Sequence, residues 1–293
     1  GACAGMDRGV LLPGDLCNVS IISDKDWICA GDSVIYTDNS FHNVTTRNWT
    51  FEGGNPSSAS GEQVVVYYDE AGTYNVDLEV GDGNETISQT FQNEIKVWPF
   101  EGVPLEYNED FESLSNLEEE WVVIDNGTNN NWELVNDIVG ASGNSALALG
   151  NRFLDEDDVS EIYSQPIDLS NTNTDVAVTF KYAYARRNDS NNERLNFRVS
   201  YNCGQSWTLR GVLFNDFETV PFTNGDWEPT SPDDWVTVTI DNLTESALVS
   251  NFRFKFEFES DDGNNIYIDD INITGPVATG IDDFDISSDV TVF

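Results

Sequence analysis

Phe252, Phe254, Phe256 and Phe258 alternate without a break with Arg253, Lys255, Glu257 and Glu259. Successive side chains of an extended strand point to opposite faces, so this run dictates a strand with one apolar and one polar face. The same period of two returns at Val176, Val178, Phe180, Tyr182 and Tyr184, at Leu195, Phe197, Val199 and Tyr201, and at Val236, Val238 and Ile240. No helical period of comparable length competes. The chain reads as all-β, and two packed sheets are the economical way to bury so many one-faced strands.

A second strand, Asn264 to Ile273, carries two acids in its middle. Ile266 and Ile268 share the parity of Asp270, whereas Ile271 and Ile273 share that of Asp269. The apolar phase slips at the acids, and strict alternation would turn one of them inward. An ionised carboxylate is costly to bury unpaired. Lys and Arg number only 13 against 53 Asp and Glu, a net charge of −40. A bound cation is therefore the expected partner, and calcium suits hard oxygen ligands without His or Cys. The same charge argues against nucleic acid and anionic membranes as partners.

No run of 18 apolar residues occurs, so no membrane-spanning helix is expected. No signal peptide is visible at Gly1, as in a mature or excised chain. The four cysteines, Cys3, Cys17, Cys29 and Cys203, match no zinc spacing and allow three pairings. Cys17–Cys29 is the expected bridge, tying the start of the first domain to its next strand. Residues 1–17 lack periodicity and read as a linker or as the end of an upstream region.

Residues 18–98 hold short β runs broken by Gly, Asn, Asp and Ser, the pattern of an immunoglobulin-like sandwich. Trp49 and Phe51 share one parity and are expected in its core. Glu70 to Tyr74 has the form of a tyrosine corner. The segment Trp49-Thr50-Phe51-Glu52-Gly53-Gly54, with Tyr68 and Ala71 to Val76, resembles a PKD domain. The family's usual Trp-x-Phe-Gly-Asp-Gly is here altered after the Phe, a variant similar to PKD domains of secreted Bacteroidota proteins.

Residues 99–106 carry two prolines and read as a semi-rigid linker. From 107 to 275, Asp110-Phe111-Glu112, Gly143 to Leu147, Ser164 to Leu169, Phe180 to Ala185, Ser200 to Trp207 and Asn264 to Ile273 resemble a MAM-like jelly roll. The pair resembles the C-terminal half of secreted pappalysin/cytophagalysin-type zinc metallopeptidases of Bacteroidota. That resemblance implies export by type IX secretion, with 276–293 as the spacer before a sorting domain. It also implies a structural calcium site at Asp110, Glu112, Asp269 and Asp270.

Several motifs weigh differently. Ser200 to Trp207 resembles an Asp-box with Asn202 in the Asp position, and Trp207 reads as a core side chain. The insert 215–234 is long and aromatic; Trp227 and Trp235 could stack on a sugar face while Asp226 or Asp233 accepts its hydroxyl hydrogens. Asp155 to Asp158 reads as a solvated acidic turn, and the eight Asn-x-Ser/Thr triplets as mostly coincidental. There is no His-Glu-x-x-His and no Gly-x-Ser-x-Gly, and the sole histidine, His42, has no nucleophile partner in view. The expectation is a non-catalytic, secreted or cell-surface segment that positions a substrate, glycan or protein for an upstream catalytic domain of the same polypeptide. A carbohydrate-binding adhesin module and a purely structural calcium-stabilised stalk are the alternatives.

Overall fold

The computed structural model describes residues 18–276, apart from positions 42, 43, 126 and 129. The readings made on residues 1–17, on His42 and on the spacer beyond 276 lie outside the described residues. Two hydrophobic cores form, each between two sheets.

The first core lies between a sheet of Ile21–Ser23, Asp32–Asp38, Gln63–Tyr68 and Gly54–Asn55 and a sheet of Trp27–Cys29, Thr86–Trp98, Gly72–Gly81, Thr46–Phe51 and Ser58–Ala59. Trp49 and Phe51 are 1% exposed and stack on each other, as their shared parity requires. The Tyr74 hydroxyl donates to the Glu70 carbonyl at 3.0 Å, closing the tyrosine corner.

The second core is larger. One sheet runs Trp132–Asn136, Ser145–Leu149, Ile266–Thr274, Ala177–Tyr184 and Val236–Ile240, with Tyr107–Glu109 also paired to Ile266–Thr274. The other runs Trp121–Ile124, Val159–Ser164, Arg253–Glu259, Arg194–Ser200 and Thr208–Phe214. All four alternating phenylalanines are fully buried between these sheets. The rings of Phe254 and Phe256 pack edge-on or stacked against Phe180, Phe197 and Trp121.

The phase slip in the acidic strand is a β-bulge. Lys181 opposes Asp269 and Thr179 opposes Asn272, so Asp270 and Ile271 together face Phe180 alone. Asp270 adopts φ +48°, the left-handed conformation that a bulge of this kind needs. The extra residue lets Ile266, Ile268, Ile271 and Ile273 all enter the core. Strict alternation would have turned one acid inward; the bulge removes that necessity. Asp269 follows Tyr267 on the outer face, where it is buried by covering chain rather than by the core.

The polar side of Arg253–Glu259 is also covered. Arg253 is 0% exposed, with its guanidinium 4.2 Å from the Trp27 ring centroid and 5.4 Å from that of Trp98. Its Nε donates to the Ser164 carbonyl at 2.6 Å. Both tryptophans belong to the first sandwich, so a charged side chain of the second is seated in an aromatic clamp of the first. Beside it, Cys29 is bonded to Cys203 across a sequence separation of 174, with Cα atoms 6.2 Å apart. The expected Cys17–Cys29 bridge is thereby overturned: Cys29 ends a strand at the surface where the sandwiches meet. Opposite it, the Ser200–Trp207 turn presents Cys203 at φ +54°.

That turn has a structural task. The Ser200 hydroxyl accepts from the Gly204 N–H at 2.7 Å, and the Asn202 side chain accepts from the Ser206 N–H at 3.0 Å. Gly204, at φ +79°, is pressed so closely to Trp27 that a Cβ would sit 2.3 Å from the indole. Trp207 is half-buried against Tyr163, as a packing residue should be. Residues 99–106 do not float between the sandwiches. Gly102 donates to the Ser250 carbonyl at 2.7 Å, and Val103–Pro104 pairs in parallel with Ile167–Asp168.

Closing a loop of this length constrains the unfolded chain by up to about 5 kcal/mol in the chain-entropy model. Replacing Cys29 and Cys203 together by Ser should therefore lower unfolding free energy by about 2–5 kcal/mol. Calorimetry should then resolve two transitions in place of one, with broader small-angle scattering distances. A single unshifted transition would contradict this assignment of the clamp.

Candidate functional site

The acids singled out in the sequence gather, in part, around one short loop. Asp269 accepts from three backbone amides, those of Ala141 at 2.8 Å, Ser142 at 3.2 Å and Asp270 at 2.7 Å. Burial pushes its carboxyl up to about 7 despite these bonds, and the neighbouring Asp270 charge adds to the rise. Asp270 accepts from the Ser142 hydroxyl at 2.6 Å and pairs with Lys181 at 2.8 Å. Glu112 accepts from the amides of Asn144 and Ser145 at 2.8 and 2.7 Å. Asp110 stays apart, exposed, with its carboxylate closing a local turn on the Glu112 amide at 3.1 Å.

Glu109 was missed from the sequence and is the buried acid of the opening segment. It shares the inward parity of Tyr107, is 6% exposed, and accepts from the Phe111 amide at 2.7 Å. Burial pushes its carboxyl up to about 7. The alternation Tyr107-x-Glu109-x-Phe111 was the available signal.

Oxygen atoms crowd this loop. A Cβ on Gly140 would lie 2.3 Å from the Ser142 carbonyl and 3.2 Å from both the Ser145 carbonyl and Asp269 Oδ2. An oxygen-only set of this kind fits a hard cation in donor type. As they stand, the carboxylates are held by amide N–H groups and by Lys181. Among the described residues, no three His, Cys, Asp or Glu side chains converge on a single metal-sized point.

The long insert crosses the outer face of the sheet that carries Asp269. Trp235 is 8% exposed, packs with Ala146, Ala148, Ala183 and Tyr267, and donates its indole N–H to the Val139 carbonyl at 3.1 Å. It is a core side chain here, with no face left for a ligand. Trp227 is half-buried, its ring edge-on to Tyr267 at 6.0 Å. Asp233 is exposed in a short 3₁₀ turn, where Asp234, not Asp233, accepts the capping amides of Thr230 and Ser231. Asp226 pairs with Arg152.

A cleft that sequence spacing did not reveal lies beside Phe153, the residue after Arg152. Its volume is about 300 Å³, and Asn130, Asn131, Trp132, Glu133, Phe153 and Asn265 are among its lining residues. Phe153 is 63% exposed, an unusual setting for a phenylalanine, and it stands beside amide and carboxylate groups. Asn265 Oδ1 is buried without a partner. The cleft is built by the 3₁₀ turn Asn151–Phe153, the start of Trp132–Asn136 and the residue just before Ile266–Thr274. A larger cleft of about 580 Å³ lies where the sandwiches meet, beside Trp27, Lys96 and Glu118. Burial there lowers the Lys96 ammonium to about 8.

Residues 20–97 match the family model of the PKD domain. No curated protein matches the sequence. Among solved structures, the K3 cleaved adhesin domain of Lys-gingipain from Porphyromonas gingivalis W83 is similar at 18% identity, covering 58% of this chain and 99% of that one, with a TM-score of 0.43. A carbohydrate-binding module of the β-sandwich superfamily is similar at 15% identity over 87% of this chain and 97% of that one, TM-score 0.38. A family 22 xylan-binding domain is similar at 13% identity over 58% and 93%, TM-score 0.35. No helix of the described residues is long and apolar enough to cross a membrane.

The amide cage of Asp269 makes a direct prediction. Asp269→Ala, measured by urea unfolding in EDTA, should cost about 3 kcal/mol, because three N–H groups lose their acceptor together. A loss below about 0.5 kcal/mol would show that water replaces the carboxylate freely.

Proposed function

We propose that this chain is a non-catalytic binding region of an exported protein, in which the second sandwich captures a glycan through the cleft beside Phe153. The carrying observation is the exposed Phe153 ring, which lines one cleft together with Asn130, Asn131, Glu133 and Asn265 and has the Arg152 guanidinium 5.2 Å from its centroid. A sugar ring presents an apolar C–H face and a rim of hydroxyls. The face of the Phe153 ring away from Arg152 takes the first, and side-chain amides with a carboxylate take the second by donating and accepting together. In this reading Asp226, paired with Arg152 next to Phe153, and the neighbouring Trp227 border the bound ligand; Trp235 serves the insert's own packing, and the exposed Asp233 takes no part.

The first sandwich acts as a spacer fixed to the second by the Cys29–Cys203 clamp. The setting is secreted or cell-surface, with the region serving an upstream metallopeptidase of the kind the sequence resembles, exported by type IX secretion from a Bacteroidota cell. Calcium belongs to this reading as a structural ion held by Glu112, Asp269 and Asp270, with Asp110, which stands apart without the ion, swinging in to complete the set. The crowded carbonyls of Ser142 and Ser145 and the chain's shortage of basic residues support it. A purely structural stalk is the second reading, favoured by the seating of residues 99–106 on the second sandwich.

A glycan array should give hits that Phe153→Ala weakens at least roughly tenfold, the loss of one stacked ring. Trp235→Phe should leave them unchanged. An array without hits would favour the stalk. Calcium at about one hundred times its Kd should raise stability by about 2.7 kcal/mol over EDTA, read as a rise in Tm. Identical melting curves with and without EDTA would remove the ion from the reading.

A further inference from the structure

Glu193 is a buried carboxylate without a cation. It is 1% exposed, and among the described residues it makes no ion pair. The nearby arginines are committed elsewhere. Arg186 holds Asp216 and Glu218 at 2.7 and 2.9 Å, Arg187 holds Asp262 at 3.0 Å, and Arg194 reaches Glu259 at 3.6 Å. Asp261 adds a further negative charge, its carboxylate accepting from the Asn192 amide at 2.6 Å.

The groups that do face Glu193 are oxygen-bearing and underused. Asn151 is fully buried and its amide nitrogen stands 3.5 Å from Glu193 Oε1, at the outer limit of a hydrogen bond. Its own Oδ1 has no partner. The Tyr184 hydroxyl, also fully buried, lies against the same carboxylate. Gly263 passes so close that a Cβ there would fall 1.6 Å from Glu193 Oε1 and 2.8 Å from the Tyr184 oxygen. The next residue, Asn264, is fully buried with its Oδ1 likewise unpartnered. The side chain that reaches this carboxylate and the residue after the glycine pressed on it thus each carry a buried amide oxygen with no donor, and the carboxylate cannot supply one, since it accepts and cannot donate.

We propose that Glu193, Asn151 and Asn264 form a hard-cation site, distinct from that at Asp269, which fits calcium. One ion would accept from all three side chains at once: the carboxylate gains its counter-charge, and a half-turn of the Asn151 amide aims its oxygen at the metal. The site adjoins the cleft along the chain. Asn151 lies between the lining residues Gly150 and Phe153, and Asn264 precedes the lining residue Asn265, so the ion would tie together the two segments that carry them. The inference stands on buried polar atoms and does not depend on what the cleft binds.

The test uses the intact chain, with calcium titrated calorimetrically and Tb³⁺ luminescence excited through Tyr184. Glu112→Gln, which affects only the loop near Asp269, should keep the tyrosine-sensitised Tb³⁺ signal and its displacement by calcium. Glu193→Gln should lose both. Asn151→Asp, which adds a second carboxylate, should tighten calcium roughly tenfold. The proposal is overturned if Glu193→Gln binds calcium as wild type does. It is equally overturned if Asn151→Asp merely lowers Tm whether or not calcium is present, or if Glu112→Gln alone abolishes every calcium response.

Discussion

The constraint behind this structure is a shortage of positive charge. With four acids for every base, the fold cannot neutralise its buried carboxylates by ion pairs, and a carboxylate in a low-dielectric setting must be neutralised somehow. Backbone amides are the commonest answer here. Asp269 takes three and Glu112 takes two, and all but the Asp270 amide are supplied by the loop 140–145 that folds over the sheet. The few bases are concentrated where acids cannot be avoided. Lys255 sits between Glu161 and Glu257, and Arg198 reaches Glu257 at 2.8 Å. Burial pushes Glu257 upward, yet the hydrogen bonds donated by Lys255 and Arg198, with the Lys255 charge, outweigh it and hold the carboxyl down to about 2.

Arg253 shows the same economy from the other side. A guanidinium is never deprotonated in a protein, so its burial needs compensation, and among the described residues no carboxylate forms an ion pair with it. Two indole faces and one carbonyl do the work instead. Because those faces belong to the other sandwich, the cost of burying the charge is offset only while the two sandwiches are joined. The disulfide at their meeting surface holds that arrangement in place.

Strand positions were legible because alternation is a local property of the chain. Phe252 to Phe258 declare their face, and the slipped isoleucine phase declares a defect at Asp269 and Asp270. Alternation says which face a residue is on, however, and not what lies over that face. Arg253 and Asp269 sit on nominally polar sides and are fully buried, one by a second sandwich and one by a loop. Trp235 and Trp227 failed as a matched pair for the same reason: the insert lies down on the sheet and one ring is sealed beneath it. The bridge to Cys203 was hidden by 174 residues of separation, although Gly204 at the tip of a tight turn hinted at a close approach by something bulky. Phe153 and Glu193 carry no periodic signature at all. Their significance comes from loops meeting at one end of the barrel-like stack, which sequence spacing does not encode.

The clamp also changes how the molecule answers to mechanical load. Tension applied between residues 18 and 276 enters the covalent network at Cys29 and leaves it at Cys203. Most of the first sandwich and the first half of the second lie inside the bypassed stretch and carry none of the force. A contour length of roughly 600 Å stays hidden from extension while the bond is intact, so the oxidised chain behaves as a short tether and its reduced form as a long one.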